Sequence, residues 1–299
     1  MIIILLILLL LVVLILNAFF LYIQKRGSKA LGGGEAPKVK MDDGLVDKTN
    51  QFLKKSKQIW HIKSKFNGSK LIGWFTDNKS ETTVILVHGF GVDHNSLNVH
   101  AQLFDSLGYN VLQIDDQAAG KSEGKYLGFG YIESLDLLDW IQRVLSERPN
   151  DKIILYGASM GAATVMLVTQ YHLPKNVKLI IEDSGYTSAY DILSYHCQKR
   201  YHIKGKYLIK GISLVSKLRA GFSYAKTDCT KALAKNKLPI LFMHGHNDFT
   251  VPFTMREKLL TCGKFPRMSY ESQGVHIRSY YMDSKKYQDT VEKFLKMYL

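Results

Sequence analysis

From residue 59 to the C-terminus the chain alternates short apolar runs with stretches of helical period, and this alternation constrains the fold more than any other feature. The runs are "TTVILVH", "YNVLQID", "KIILY", "VKLIIED" and "LPILFMH". Ahead of them, "WHIKSKF" and "KLIGWF" flank Asn67-Gly68-Ser69, a hairpin signal. Continuous apolar runs separated by helices read as strands buried on both faces, so the expected class is α/β, with a mostly parallel, doubly wound sheet. With 299 residues and 46% hydrophobic content, the chain can bury a core of that size. Ligands of such sheets bind beyond the carboxyl ends of the strands, and chemically active residues are sought there.

One of those ends reads "ILYGASMGAATVML", residues 154–167. A serine between two glycines, entered from a strand and left as a helix, fits an elbow that presents Oγ clear of the sheet. The flanking glycines leave room where a Cβ would clash. An ordinary tight turn is the competing reading, and the pentapeptide by itself does not separate the two. Context does. Asp248 follows the "LPILFMH" run in "HGHNDFTVP", and His276 lies in the next loop, "SYESQGVHIRSY". The chain order Ser159, Asp248, His276 suits nucleophilic catalysis: an imidazole takes the serine proton, and a buried carboxylate fixes the imidazole tautomer. Asp183, at the end of "VKLIIED", is a rival acid. Asp248 is preferred because its loop immediately precedes the histidine segment.

After the first parallel strand, "VHGFG" (88–91 with Val87) supplies a loop whose Phe90 amide, paired with that of Met160, forms the expected oxyanion hole. His88 is read as a brace for this loop. The motifs "HGFG", "GASMG", "HGHNDFTVP" and "GVHIRSY" together resemble the α/β-hydrolase superfamily of serine hydrolases. The resemblance covers residues from about 59 onward. It is nearest in character to bacterial membrane-anchored members related to the serine aminopeptidase and acyl-esterase branches. It implies a Ser159–His276–Asp248 triad and neither metal nor organic cofactor. One stretch departs from the pattern. Related sequences often carry Asp-x-Arg-Gly-x-Gly-x-Ser after the fourth strand, whereas "DDQAAGKSEG" has Gln117, Ala118 and Ala119, so an arginine brace is missing.

The N-terminus is a separate matter. Residues 2–23 form an uncharged apolar run long enough to cross a bilayer as a helix, without the basic n-region or cleavage site of a signal peptide. The expected organisation is a transmembrane anchor at 1–24, a juxtamembrane tether at 25–52, and a hydrolase domain at 53–299 with a helical cap inserted at about 185–237. On that organisation, a chain beginning near Gln51 is expected to be soluble and active. Lys25, Arg26 and Lys29 follow the span and nothing basic precedes it, which favours a single-pass protein with its domain in the cytoplasm. The cap is rich in lysine and tyrosine, and the net charge is +14. Two readings of this charge stand open, a solvated basic surface and attraction to anionic lipid headgroups; no nucleic acid is expected because no nucleic-acid module accompanies the charge. Cys197, Cys229 and Cys262 are too few and too widely spaced for a disulfide framework or a metal knuckle. The expected activity is cleavage of carboxylic esters through an acyl-enzyme. The alternatives are a serine peptidase or aminopeptidase-like amide hydrolase, and a non-catalytic binding protein on the same scaffold.

Overall fold

The structure, a computed structural model, describes residues 1–31, 39–41 and 43–299. Eight strands make one sheet: β1 (Gln58–Lys63), β2 (Lys70–Thr76), β3 (Thr82–Val87), β4 (Asn110–Ile114), β5 (Lys152–Ala158), β6 (Val177–Asp183), β7 (Ile240–Gly245) and β8 (Arg267–Ser272). Their order is β1-β2-β4-β3-β5-β6-β7-β8. β1 and β2 form the expected antiparallel hairpin, closed by Gly68 at φ +79° and by Asn67 Oδ1 accepting from the Ser69 N–H. β2 also runs antiparallel to β4, and every other pairing is parallel. β3, β4 and β7 are buried at every position, as strands covered on both faces should be. β8 carries the polar sequence "RMSYES" and buries only Tyr270, because one of its edges has no neighbouring strand. That polarity hid it from a search for apolar runs.

Side chains alternate between two cores. Val84 and Leu86 of β3 point to the face covered by α2 (Asp43–Leu53), α3 (Asn98–Ser106), α10 (Ser279–Met282) and α11 (Ser284–Tyr298). Ile85 and Val87 point to the other. That second face lies under α4 (Tyr131–Glu147), α5 (Met160–Leu167), α8 (Cys229–Leu233) and α9 (Phe253–Leu260), and its core extends into α6 (Ala189–Tyr201) and α7 (Lys206–Arg219). α6, α7 and α8 all lie between β6 and β7.

The N-terminal region departs from the expected anchor-and-tether arrangement. α1 (Ile2–Gln24) is a 23-residue helix, apolar and long enough to cross a membrane, and its residues through Ile15 are exposed. Its last two turns are part of the domain, packed on α7, with Phe20 fully buried. Gln24 is fully buried too: its Nε2 donates to Leu127 O at 2.7 Å, and its Oε1 accepts from Tyr224 Oη at 2.9 Å. Ser28, Ala30 and Leu31, just beyond the helix, are buried as well. At the other end of the expected tether, residues 43–53 are α2, whose Leu45, Thr49 and Phe52 recur at helical spacing and are buried. The tether reading failed here because three buried residues in eleven leave a strand of charge and glycine that looks unstructured. Positions 32–38 and 42 of that stretch lie outside the described residues.

Behind the β4 loop sits a buried acidic cluster. Burial pushes the Asp136 carboxyl up to about 8, against a hydrogen bond from Ser64 Oγ at 2.5 Å, and pushes Glu133 up to about 7. Asp116 beside them is raised by burial and by its acidic neighbours. A carboxyl raised on folding stabilises the native state fully only below its unfolded value of about 4, and that contribution drains away as pH climbs toward the folded value. Thermal stability should therefore fall between pH 6 and pH 9 by a few degrees, taking roughly 2–4 °C per kcal/mol. In Asp136→Asn the fall should be shallower, whatever the variant's absolute Tm. Parallel curves of Tm against pH for the two proteins would show that Asp136 does not titrate in this range.

Candidate active site

Strand order reverses at β3, with β4 on one side and β5 on the other, so a crevice opens at their carboxyl ends. Ser159 sits in it, the single residue between β5 and α5. Its backbone is held at φ +58°, ψ −114°, a conformation that non-glycine residues rarely adopt and that surrounding structure must enforce. Two bonds enforce it here: the Ser159 N–H donates to Asp183 O at 2.8 Å, and Ser159 O accepts from the Ala163 N–H at 3.1 Å. The glycines have a steric reason to be glycine. A Cβ at Gly157 would come within 2.1 Å of Gly161 O, and one at Gly161 within 2.0 Å of Val87 O.

The loop after β3 closes on this elbow. An ideal Cβ on Gly89 would lie 3.2 Å from Ser159 Cβ, so the Gly89–Phe90 backbone passes in contact with the serine. Met160 is the first residue of α5, where helix geometry leaves N–H groups without an intrahelical acceptor. Among the described residues, neither the Phe90 nor the Met160 amide donates to a backbone carbonyl. His88 is fully buried, and burial lowers its pKa, which keeps it neutral. Its Nε2 accepts from the Asp116 N–H at 3.0 Å and its Nδ1 meets Gly89 O at 2.8 Å, so it ties the β3 loop to the β4 loop.

Asp248 and His276 come from the loops after β7 and β8. Asp248 Oδ2 lies 2.7 Å from His276 Nδ1, while Oδ1 accepts from the Thr250 and Val251 N–H groups, both at 2.8 Å. Burial alone would raise this carboxyl. The His276 charge and hydrogen bonds from His244 and His276 outweigh burial and hold it well below the ordinary carboxylate range. A single cavity of about 530 Å³ is lined by Ser159, His276, Gly89 and Phe90 together with Tyr186 and Ile192. Asp183 is placed differently. It is fully buried at the end of β6, where Oδ2 accepts from Tyr287 Oη at 2.9 Å and Oδ1 from Ser184 Oγ at 2.9 Å. The imidazole beside it is His100, at 4.0 Å. Burial raises the Asp183 carboxyl, opposed by those hydroxyls.

Two participants were not legible in the sequence. His244, the penultimate residue of β7, is buried with Nε2 2.9 Å from Val251 O and 3.3 Å from Asp248 Oδ2, so it is a second imidazole on the same carboxylate. Burial lowers its pKa, but the Asp248 hydrogen bond and charge prevail and raise it. Its spacing of four residues from Asp248 was the only signal. The second is Arg26. Arg26, of the segment after α1, braces the β4 loop, which carries no arginine of its own. Its Nη1 donates to Ser122 O at 2.6 Å and its Nη2 to Gly120 O at 2.5 Å. Among the described residues, no group of three or more His, Cys, Asp or Glu is placed to hold a metal ion.

Comparison with known proteins agrees with this architecture. The family model described as serine aminopeptidase, S33, matches residues 78–187. The chain is 29% identical over 218 residues to YqkD of Bacillus subtilis, covering 71% of this chain and 70% of that protein. It is 23% identical over 222 residues to YfhR of Escherichia coli, 72% of each. Among solved structures it resembles the Pyrococcus furiosus esterase Pf2001, with a TM-score of 0.68 and 23% identity over 83% of this chain and 93% of that one. An esterase from Exiguobacterium antarcticum matches with a TM-score of 0.58 and 18% identity, over 79% and 98% of the two chains. With its strand order, its elbow and these similarities, the chain has the α/β-hydrolase fold and resembles members of the α/β-hydrolase superfamily.

Proposed function

We propose that the protein is a membrane-anchored serine hydrolase that cleaves carboxylic esters through an acyl-enzyme. One observation carries this reading: the Asp248–His276 contact of 2.7 Å opens into the same cavity as a serine held in a strained elbow. Ser159 Oγ attacks the ester carbonyl as His276 Nε2 takes its proton, and Asp248 keeps the other ring proton on Nδ1 and steadies the imidazolium. The Phe90 and Met160 amides receive the oxyanion. When the tetrahedral intermediate collapses, the C–O bond to the alcohol breaks and the alcohol leaves with the proton from His276. A water molecule then adds to the acyl-enzyme by the same relay, releasing the carboxylic acid and restoring Ser159 Oγ–H.

The lining of the cavity favours an ester over a peptide with a free amino terminus. An aminopeptidase has to hold a protonated amine, which a carboxylate does best. Among the described residues the cavity wall includes Lys29 and Arg278 and no carboxylate. α1 serves as the anchor, with Lys25, Arg26 and Lys29 on the cytoplasmic side. A fluorophosphonate probe tests the chemistry directly, since it reacts covalently only with an activated hydroxyl. The expected result is one phosphonate per chain, located by peptide mass spectrometry at Ser159. Absence of labelling on folded protein, or a label on another serine, would sink the assignment.

A further inference from the structure

A second cavity, of about 320 Å³, lies beside the first and is walled almost entirely by apolar side chains. Phe19 and Ile23 come from the end of α1, Leu193 from α6, and Leu208, Ile209 and Ile212 from α7. Leu31 and His196 line both cavities, so the apolar space adjoins the space that holds Ser159. A membrane-spanning helix thus forms one wall of a chamber next to the nucleophile.

The depth of that wall follows from lengths. The freely exposed part of α1, residues 2–15, is 14 residues and reaches about 21 Å, whereas a bilayer's hydrocarbon core is about 30 Å thick. Residues 16–23 must therefore complete the crossing, and these are the residues that pack on α7 and line the cavity. The outer face of α7 suits that depth: Tyr207, Leu214 and Leu218 are 82%, 59% and 79% exposed at helical spacing. The exposed Lys204, Lys206 and Lys210 beside them can snorkel to anionic headgroups.

We propose that the second cavity is an acyl-chain site filled from the bilayer: the substrate is a membrane-resident carboxylic ester whose chain lies between α1 and α6–α7 while its carbonyl reaches Ser159. This rests on the serine-hydrolase reading and narrows it to a substrate class. A chain leaving the leaflet slides from lipid into an apolar chamber of the protein, and only the ester group enters the polar crevice.

The test uses the full-length protein in vesicles of phosphatidylcholine and phosphatidylglycerol with p-nitrophenyl acetate, butyrate, octanoate and laurate. Each added methylene should raise kcat/KM about four-fold while the chain fits, the ratio that corresponds to ~0.8 kcal/mol per buried methylene. Laurate ester placed in the protein's own vesicles should be cleaved faster than the same ester carried in separate vesicles. Leu208→Trp and Cys197→Trp narrow the chamber, and taking away room for two methylenes should cut the laurate-to-butyrate ratio about fifteen-fold. If either variant fails to fold, the wild type still gives an answer. A long-chain phosphonate bearing a terminal diazirine, attached at Ser159 and irradiated, should crosslink to peptides within 16–31 and 193–212. A length-independent profile, equal rates from own and separate vesicles, or crosslinks only elsewhere would overturn the acyl-chain site while short-ester hydrolysis and Ser159 labelling left the hydrolase reading standing. No hydrolysis of any ester, with no phosphonate on Ser159, would overturn both.

Discussion

Asp248→Asn is expected to lower kcat on a short-chain ester by about 10⁴-fold, the cost of holding a triad imidazole in the wrong tautomer. Asp248 Oδ2 accepts from His276 Nδ1, and asparagine, if it presents its amide there, can only reverse the direction of that hydrogen bond. The proton then moves to Nε2, the nitrogen that accepts from Ser159 in the mechanism we propose. Asp183→Asn should act otherwise. Asp183 accepts from Tyr287 and Ser184 inside a closed polar cluster, so its replacement should lower Tm while changing kcat by less than roughly ten-fold. Steady-state kinetics and thermal melts on both variants check the pair. The reverse ranking would transfer the acid role to Asp183, and equal small effects would remove the acid from the mechanism.

Removing residues 1–31 is the second large change. An apolar helix joined by a flexible tether could be cut away without harm, but α1 ends inside the core. Phe20, Ile23 and Leu31 are each at least nine-tenths buried. Stripping three large apolar side chains from a core forfeits about 5–9 kcal/mol, taking 1.5–3 kcal/mol for each. Gln24 adds two buried hydrogen bonds, and their loss would leave Leu127 O and Tyr224 Oη without these partners. The total is comparable with the whole stability of a typical domain, about 5–15 kcal/mol. A chain beginning at Gly32 should therefore be aggregated or should unfold without a cooperative transition, whereas one beginning at Leu16 keeps these contacts and should melt cooperatively in detergent. A chain beginning at Gly32 with an undiminished, cooperative Tm would show that the contacts of α1 contribute nothing to stability.

The central sheet was readable from the sequence because its strands are buried on both faces and so are written as unbroken apolar runs. Ser159 was readable for a different reason. An elbow this tight admits only glycine at 157 and 161, and that steric demand leaves a local pattern. Asp248 and His276 were found by their chain order, but their mutual approach is a property of β7 and β8 lying side by side, which no local pattern records. His244 escaped notice since its partner is reached through the turn after β7, and a histidine in an apolar strand reads as packing. The role of residues 20–31 was hidden by the hydrophobicity of the span itself. Phe20 and Ile23 look the same whether they face lipid or protein, and only the structure shows that they face protein. α2 read as linker for the opposite reason: its few apolar residues are diluted by charge.

The clasp between Gln24, Leu127 and Tyr224 also bears on the order in which the molecule can be assembled. The two hydrogen bonds join residues 103 and 200 positions apart, so the N-terminal helix has left the ribosome long before its partners exist. At about 5–20 residues per second, the wait for Tyr224 is on the order of ten to forty seconds. During that interval a helix of this hydrophobicity has no protein surface to cover it and can enter the bilayer. The remainder of the chain then closes onto an element already fixed in place. Closing the longer loop costs little more than closing the shorter one, since doubling the separation adds only about 0.6 kcal/mol. Synthesis thus delivers α1 before the surface it packs on, and the domain is completed around the element that was made first.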